Sequence, residues 1–333
     1  MTKKKISKPK IAIIDCDYLI VSAASSTFHP WYIYKDQSGQ EIQRFDSAEK
    51  GKTWVKDMEE MLDIDPSEYV REVEYEVGDP EDAKKTFDNM LKRWVKMTGC
   101  ANYQGYCAKA SGLKTFRSKL ATIKEYKKSR DSQPKPPHLE IVREHALKNP
   151  NIKPVKKSLE CDDYVVAIAE KKGQNACLCC EDKDGSQIVN SWFLQPSARE
   201  TPVFHDASLV GTLGIKDNGK VFGSGYLFLL WQCLASDPVD NIGGCKGIGD
   251  KGAYKMLKDF SGEPVERLED VVKVVAEKYK KVYGDKYKYN HWNTQEEITA
   301  SWKDIMIENL LLLWMKRNDK DKCEVITQYL EDL

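Results

Sequence analysis

The sequence has no long apolar run and no excess of one charge. Basic and acidic side chains number 52 each among its 333 residues, so no net field draws the chain to nucleic acid or to a membrane. No run of about 18 apolar residues occurs, so the sequence predicts no transmembrane helix. The apolar segment near the start contains Asp15 and Asp17, charges that a secretory signal does not tolerate. We therefore expect a cytoplasmic protein (host cytoplasm if the source is viral) with no membrane partner.

Histidine is scarce as well. Five are present, and the ten cysteines lie mostly in apolar stretches such as 175–180, without ligand spacing to histidine. This pattern argues against a zinc site and favours reduced, buried thiols. The glycine-rich stretch around Gly247 lacks the Ser or Thr that would complete a P-loop.

Strand and helix patterns alternate through the first 200 residues. A basic-to-apolar, β-branched run predicts a buried strand at 10–14. The stretches 102–110 and 175–180 predict two further core strands, and helical patterns separate the three. Such alternation predicts an α/β fold with a mostly parallel central sheet flanked by helices.

The predicted domains follow from the change of pattern along the chain. We expect a core over 10–200 that contains an insertion at about 28–90, with a hairpin turning at Ser38-Gly39. From Gly225 the pattern turns helical, which predicts a helical region over 222–333.

Acidic residues cluster at the ends of predicted core strands and at one helix start. Carboxyl ends of parallel strands share one edge of a sheet, where sites form. Carboxylates this close repel one another, and a divalent cation removes that cost. The clustered acids are Asp15 and Asp17, then Glu160, Asp162 and Asp163, then Asp182 and Asp184, with Asp237 and Asp240 further on.

Each acidic cluster alone has an ordinary explanation. Acids in the first turn of a helix complement its dipole, and acids after a strand are common in turns. The combination at one edge favours two Mg²⁺ ions, which work on phosphoryl groups from about 3.5–4 Å apart. We expect Mn²⁺ to substitute.

A basic segment and a glycine turn suggest contact with phosphates. Residues 114–130 carry seven basic side chains against one acid, with Tyr126 among them. Basic groups meet phosphates and an aromatic ring can stack on a base, although a solvated helix face would look the same. Gly247, Gly249 and Lys251 lie in a turn between two helices, which could hold a phosphate or be simply a tight turn.

The order of these motifs resembles the phage and bacterial 5′→3′ exonuclease and flap endonuclease family. The resemblance runs through most of 10–260, and its most specific part is "SDPVDNIGGCKGIGDKGAYKML". It implies a PIN-like core, an arch or clamp at about 113–137, and a helix–three-turn–helix region at about 225–262 that grips duplex DNA. The implied reaction is two-metal hydrolysis of phosphodiester bonds near a DNA 5′ end, in primer removal or DNA degradation, by a monomer.

The resemblance also implies roles for single residues. One Mg²⁺ would be held mainly by Asp15, Asp162 and Asp163, and the second would lie nearer Asp182, Asp184 and Asp240. Lys127 would contact the scissile phosphate, and Asp162 and Asp182 would be central to catalysis. Metal positions are implied for Asp15, Glu160, Asp162, Asp163, Asp182, Asp184, Asp237 and Asp240, and DNA contacts for Arg117, Tyr126, Lys128, Arg130, Gly247, Gly249 and Lys251.

One departure leaves other functions open. The family has an acid just before the arch, where this chain has Lys109 or Ala110. A catalytically impaired relative that binds branched DNA without cutting it is therefore one alternative, and a PIN-type ribonuclease is another. The substrate duplex could be DNA or an RNA–DNA hybrid.

Overall fold

The computed structural model of the chain describes residues 6–62, 65–110, 115–128, 134–155, 159–331 and 333. The chain divides into two units. The larger unit comprises 1–18, 92–134 and 149–333, and the smaller unit comprises 19–91 and 135–148.

A six-stranded sheet forms the centre of the larger unit, and it confirms the predicted α/β class. Neighbouring strands are parallel except for the edge pair β8–β9. In spatial order the strands are β6 (Ile152–Pro154), β5 (Asn102–Cys107), β1 (Ile11–Asp15), β7 (Ala176–Cys179), β8 (Ser191–Leu194) and β9 (Val203–His205).

Burial explains why β1 and β7 occupy the middle of this sheet. All four residues of β7 are buried, as are the last four of β1, because apolar side chains point to both faces. The helix α6 (Cys161–Lys172) covers the sheet with Val165, Val166 and Ala169, all at 0% exposure.

Helices pack into a second core in the rest of the larger unit. Nearly all of α7 is buried, and it packs with α8, α9 and α10. The helices of this region, with α4 from the basic segment, are α4 (Phe116–Leu120), α7 (Gly225–Ala235), α8 (Asp250–Leu257), α9 (Leu268–Tyr283), α10 (Trp302–Leu313) and α11 (Glu324–Thr327).

Two hairpins interrupt the C-terminal half. One, β10 (Thr212–Ile215) with β11 (Val221–Ser224), precedes α7. The other, β12 (Tyr287–Asn290) with β13 (Glu297–Ala300), lies within the stretch predicted to be helical, so that prediction is wrong there. Gly284, at φ +62°, ends α9, and the side chains of β12 then alternate between half-buried and exposed, as in a strand.

The smaller unit contains the predicted hairpin. Its antiparallel sheet has the order β3 (Glu41–Phe45), β2 (Phe28–Lys35), β4 (Val70–Val77), and the hairpin turns at Ser38-Gly39 as expected. Aromatic rings of Tyr34, Phe45 and Trp54 join this sheet to α2 (Ala48–Leu62). The α5 helix (Leu139–Leu147) belongs to this unit, and α1 (Cys16–Ser25) and α3 (Pro80–Thr98) span both unit ranges.

The cysteines confirm the interpretation of the sequence. All ten are free thiols, and all but Cys100 are buried. Across the part of the chain that the structure describes, no helix combines the length and apolar character needed to cross a bilayer.

Candidate active site

The predicted acidic clusters meet at the carboxyl edge of the central sheet. Asp15 is the last residue of β1, and Asp182 and Asp184 lie just beyond the adjacent parallel strand β7. Glu160 immediately precedes α6, which packs on both strands. The pairing of β1 with β7 therefore brings together side chains that lie far apart in the sequence.

Four of these carboxylates have no ion-pair partner among the described residues: Asp15, Asp162, Asp182 and Asp184, here called the unpaired acids. Burial, and then the negative charge of Asp17, raise the pKa of Asp15 to about 7. Burial and the charge of Asp182 raise the pKa of Asp184 to about 8. The Asp184 carboxylate accepts a hydrogen bond of 2.6 Å from the amide of Gln232.

The carboxyls of Asp162 and Asp182 also have raised pKa values. Burial raises the pKa of both, with the charge of Glu160 adding to the effect at Asp162 and that of Asp240 at Asp182. Each accepts a backbone N–H close in sequence, Asp162 from Asp163 at 2.7 Å and Asp182 from Asp184 at 2.9 Å. Desolvated carboxylates that repel one another gain most from an added cation.

The unpaired acids fit a divalent cation by the chemistry of their donors. They offer only oxygen, the ligand type that Mg²⁺ and Mn²⁺ prefer, and they carry negative charge that no nearby side chain neutralises by direct contact. As they stand, no three His, Cys, Asp or Glu side chains within the described ranges come together closely enough to hold a metal ion. Asp162 and Asp182 instead bond to the backbone beside them.

The other four acids, here called the paired acids, each contact a basic side chain. They are Glu160, Asp163, Asp237 and Asp240. The most buried pair joins Asp163, at 0% exposure, to Arg117, at 1%. Two parallel hydrogen bonds of 2.7 and 2.9 Å connect them.

Arg117, for which the resemblance implies a DNA contact, is buried among protein groups in this structure. Its remaining N–H groups donate to the carbonyl oxygens of Leu312 and Trp314, so the guanidinium is enclosed and cannot reach a phosphate from this position. Asp163 likewise accepts the backbone N–H of Lys316, so both its oxygens are occupied. This pair anchors α4 to the C-terminal region.

Lys127, for which the resemblance implies a contact with the scissile phosphate, lies beside two of the acids. Its ammonium is 2.7 Å from Glu160 and 3.7 Å from Asp240, and it lies over the ring of Tyr126. Although burial raises it, the charges of Arg117 and Lys127 bring the pKa of Glu160 down to about 2. Lys127 has a φ of +58°, a backbone conformation that residues other than glycine rarely adopt.

Tyr126 holds Lys127 in place from the other side. Its hydroxyl donates to Asp240 at 3.0 Å, and the ring is half-buried against the helical core. Burial, followed by the charge of Glu160, raises the pKa of Tyr126 well above its usual value. The sequence suggests an open ring on which a base could stack. In this structure the ring instead packs against the helical core, and Lys127 lies over it.

Two residues of the site escaped the sequence analysis. Lys183 contacts Asp237 at 2.8 Å, and its only signal in the sequence is a basic residue between Asp182 and Asp184. Gln232, fully buried, bonds to Asp184 and was hidden in an apolar helix, where a single polar residue could have been noticed.

The end of β5 carries no acid of its own. Lys109 and Ala110, which stand where the family has an acid, are exposed there. The carboxylate of Asp17 reaches this strand end from α1 and accepts the backbone N–H of Ala108 at 3.0 Å. An acidic side chain is therefore present at this point of the sheet edge, although it comes from a different element.

The glycine turn leads into α8 and leaves its glycines open. Gly247, at φ +81°, and Gly249 have no atom within 4 Å of where a side chain would begin. Gly249 is the residue before α8, and no side-chain hydrogen bond caps that helix. Backbone N–H groups at such a helix start can meet a phosphate.

Of the other predicted DNA contacts, Lys128 and Lys251 are exposed, and Lys128 pairs with Glu125 at 3.4 Å. Arg130 lies outside the described residues.

Comparison with known proteins agrees with the family suggested by the sequence. No protein-family model matches the chain. It is 29% identical over 160 residues to a 5′-3′ exonuclease of Buchnera aphidicola subsp. Acyrthosiphon pisum, covering 45% of this chain and 51% of that protein. Over 141 residues it is 30% identical to flap endonuclease Xni of Shewanella sp. strain MR-4, covering 41% and 51%. A solved structure, the T5 D15 protein co-crystallised with metal ions, is similar over 97% of both chains, with 13% identity and a TM-score of 0.47.

The chain spans about half the length of the curated relatives it matches. It is similar in sequence to 5′-3′ exonucleases and flap endonucleases, which confirms the resemblance.

Proposed function

We propose that this protein is a metal-dependent 5′ nuclease that hydrolyses phosphodiester bonds near 5′ ends or flaps of duplex DNA. The observation that carries the proposal is the position of Lys127. Its ammonium lies among the acids at the sheet edge, and its backbone adopts an unfavourable conformation. Strained conformations persist where the surrounding structure enforces them, and they cluster at functional sites. Similarity to named exonucleases and flap endonucleases supports the same reaction.

The unpaired acids Asp15, Asp162, Asp182 and Asp184 would hold the divalent cations, with Mg²⁺ as the expected ion. Bound there, such cations supply Lewis-acid stabilisation of the phosphate and a nucleophilic water at neutral pH. The paired acids are expected neighbours of this set, and Glu160 and Asp240 would then be shared between cations and Lys127.

The chain's own groups perform the rest of the reaction. Lys127 can exchange its carboxylate partner Glu160 for a phosphate oxygen of the substrate and stabilise charge that develops there. The Arg117–Asp163 pair fixes the start of the segment that carries Lys127. The turn at Gly247 and Gly249, with Lys251 beyond it, would hold the duplex backbone without regard to sequence.

Cleavage of a 5′-labelled flap duplex in Mg²⁺ tests this proposal. We expect short 5′ products from the wild type and from Asp217→Asn, an exposed hairpin residue, and none from Asp182→Asn/Asp184→Asn. Product length distinguishes release of mononucleotides from flap cutting, and a matched RNA–DNA hybrid tests the nature of the substrate. Tight binding without cleavage in Mg²⁺ or Mn²⁺ would contradict the proposal and favour a DNA-binding relative, a possibility raised by Lys109 at the end of β5.

A further inference from the structure

The segment 121–127, which joins α4 to Lys127, has no regular secondary structure. It is nevertheless fastened at its beginning by the β12–β13 hairpin. The indole N–H of Trp292 donates to the carbonyl of Ala121 at 2.9 Å, and the backbone N–H of Trp292 donates to the carbonyl of Thr122 at 3.0 Å. The hydroxyls of Tyr289 and Thr122 are 2.8 Å apart.

A carboxylate from α10 completes this attachment. Glu308 accepts the backbone N–H groups of Thr122 at 2.9 Å and Ile123 at 3.1 Å, and it also accepts the Thr122 hydroxyl. Every polar group of Thr122 is therefore bonded, by residues about 170 to 190 positions further along the chain.

The far end of the segment is fastened separately. The carbonyl of Glu125 accepts from the side chain of Asn241 at 2.8 Å, and the backbone N–H of Lys127 donates to the carbonyl of Asp240 at 3.0 Å. Between these two attachments the backbone turns into the left-handed conformation of Lys127. A residue with a side chain keeps such a conformation only where the contacts around it over-determine it.

We propose that the β12–β13 hairpin and Glu308 form a brace that positions Lys127. The inference rests on the proposed nuclease function, and it assigns Tyr289, Trp292 and Glu308 as positioning residues. None of the three contacts the acids in the described structure, and they act through the segment that ends at Lys127. Without the brace, an irregular segment would sample many conformations, and the ammonium would spend less time at the phosphate.

The brace makes a specific prediction about rates. Removing its hydrogen bonds lowers kcat by roughly tenfold to a hundredfold, because small misplacements of a catalytic group cost that much. KM and duplex affinity stay near those of the wild type, since the glycine turn that would bind the duplex is untouched. The loss also requires Lys127, so in a Lys127→Ala background the same change has no further effect.

The test uses the full chain with Tyr289→Phe/Trp292→Phe, which removes the Tyr289 hydroxyl and the Trp292 indole N–H and keeps an aromatic ring at each position. Tyr287→Phe, on the same strand, is the matched control, because the Tyr287 hydroxyl has no hydrogen bond within the described part of the chain. Single-turnover cleavage and duplex affinity are measured with and without Lys127→Ala. Thr122→Val, which keeps the volume and removes the hydroxyl, replaces the double variant if that variant melts early.

Hydrogen exchange adds a readout that needs no cleavage. The brace variant should exchange faster than the wild type at 121–127 and equally at 244–249. If the brace variant exchanges at the wild-type rate in both stretches, the brace is overturned. A loss of kcat that persists undiminished in the Lys127→Ala background also overturns it. An active wild type with an equally active brace variant overturns the brace and leaves the nuclease intact, whereas a wild type that cuts no substrate overturns both.

Discussion

The two sets of acids differ in what neutralises them, although they share one edge of the sheet. Asp162 and Asp163 are neighbours in sequence, yet Asp163 binds Arg117 through both oxygens while Asp162 has no basic partner among the described residues. Helix geometry explains the split, since consecutive residues of a helix point about 100° apart. The difference teaches that an acidic cluster can be half structural and half available to a ligand.

The largest effect should come from breaking the most buried pair. Replacing Arg117 with methionine leaves the carboxyl of Asp163 enclosed without its basic partner, and removing one partner of a buried pair costs about 3–5 kcal/mol. Chemical denaturation measures this loss. Arg267→Met, which removes an exposed arginine paired with Glu263 and Asp270, should cost at most about 1 kcal/mol. Equal losses in the two variants would contradict the structural role of Arg117.

The next effect separates Lys127 from its exposed neighbour. Lys127→Ala should lower kcat by about a hundredfold to a thousandfold, the usual loss when one charge-stabilising donor is removed. Lys128→Ala should instead weaken duplex binding slightly and reduce its salt dependence. Steady-state cleavage at two salt concentrations distinguishes these effects, and a loss of kcat in Lys128→Ala alone would mean that the two roles are reversed.

Much of this comparison could not have been predicted from the sequence. The strand ends near Asp15 and Asp182 were predictable, because short apolar runs stop there and parallel strands share their carboxyl edge. The pairing of Arg117 with Asp163 was not, since the carbonyl oxygens that complete it come from Leu312 and Trp314. A run of basic residues looks the same whether it faces solvent or a buried carboxylate.

The hairpin β12–β13 shows a second limit. Its strands are four residues each, and tyrosine and lysine occur in helices and strands alike. Sequence periodicity over so short a stretch does not distinguish the two, so the helical pattern on both sides dominated the prediction.

Neutralising the unpaired acids should raise the stability of the folded protein, whereas breaking the paired acids should lower it. A carboxyl whose folded pKa lies above its unfolded value stabilises the protein at low pH, and this contribution is lost as pH rises. Because Asp15 titrates near 7 and Asp184 near 8, the metal-free wild type should lose stability between about pH 4 and pH 8 through these groups.

Asp15→Asn/Asp184→Asn removes that loss. The variant should therefore melt at a higher temperature than the wild type above pH 8, by roughly 1–2 °C per kcal/mol of repulsion removed. The gap should be much smaller at pH 5 and close below about pH 4. Melting curves in a chelating buffer measure it, and a gap that is the same at both pH values would mean that the raised pKa values are wrong.

The smallest effect concerns two glycines of the same loop. Gly249→Ala places its new methyl group in open space, so it should fold normally and weaken duplex affinity several-fold by blocking a phosphate. Gly244→Ala would put a Cβ 2.5 Å from the backbone nitrogen of Ser236, at φ +61°, and should lower stability itself. Fluorescence binding and thermal melting together separate the two. Unchanged affinity in Gly249→Ala would remove this turn from the duplex contact.

The most direct test of the central claim is the shift in melting temperature that Mn²⁺ produces at pH 8. A cation that binds the folded chain alone stabilises it by RT ln(1 + [cation]/Kd), so the melting temperature keeps rising with the logarithm of the cation concentration once this exceeds Kd. The wild type and Asp217→Asn should show a rise that grows with the logarithm of the Mn²⁺ concentration, and Asp182→Asn/Asp184→Asn should show none. An equal rise in all three proteins would contradict the claim that the unpaired acids are the cation site.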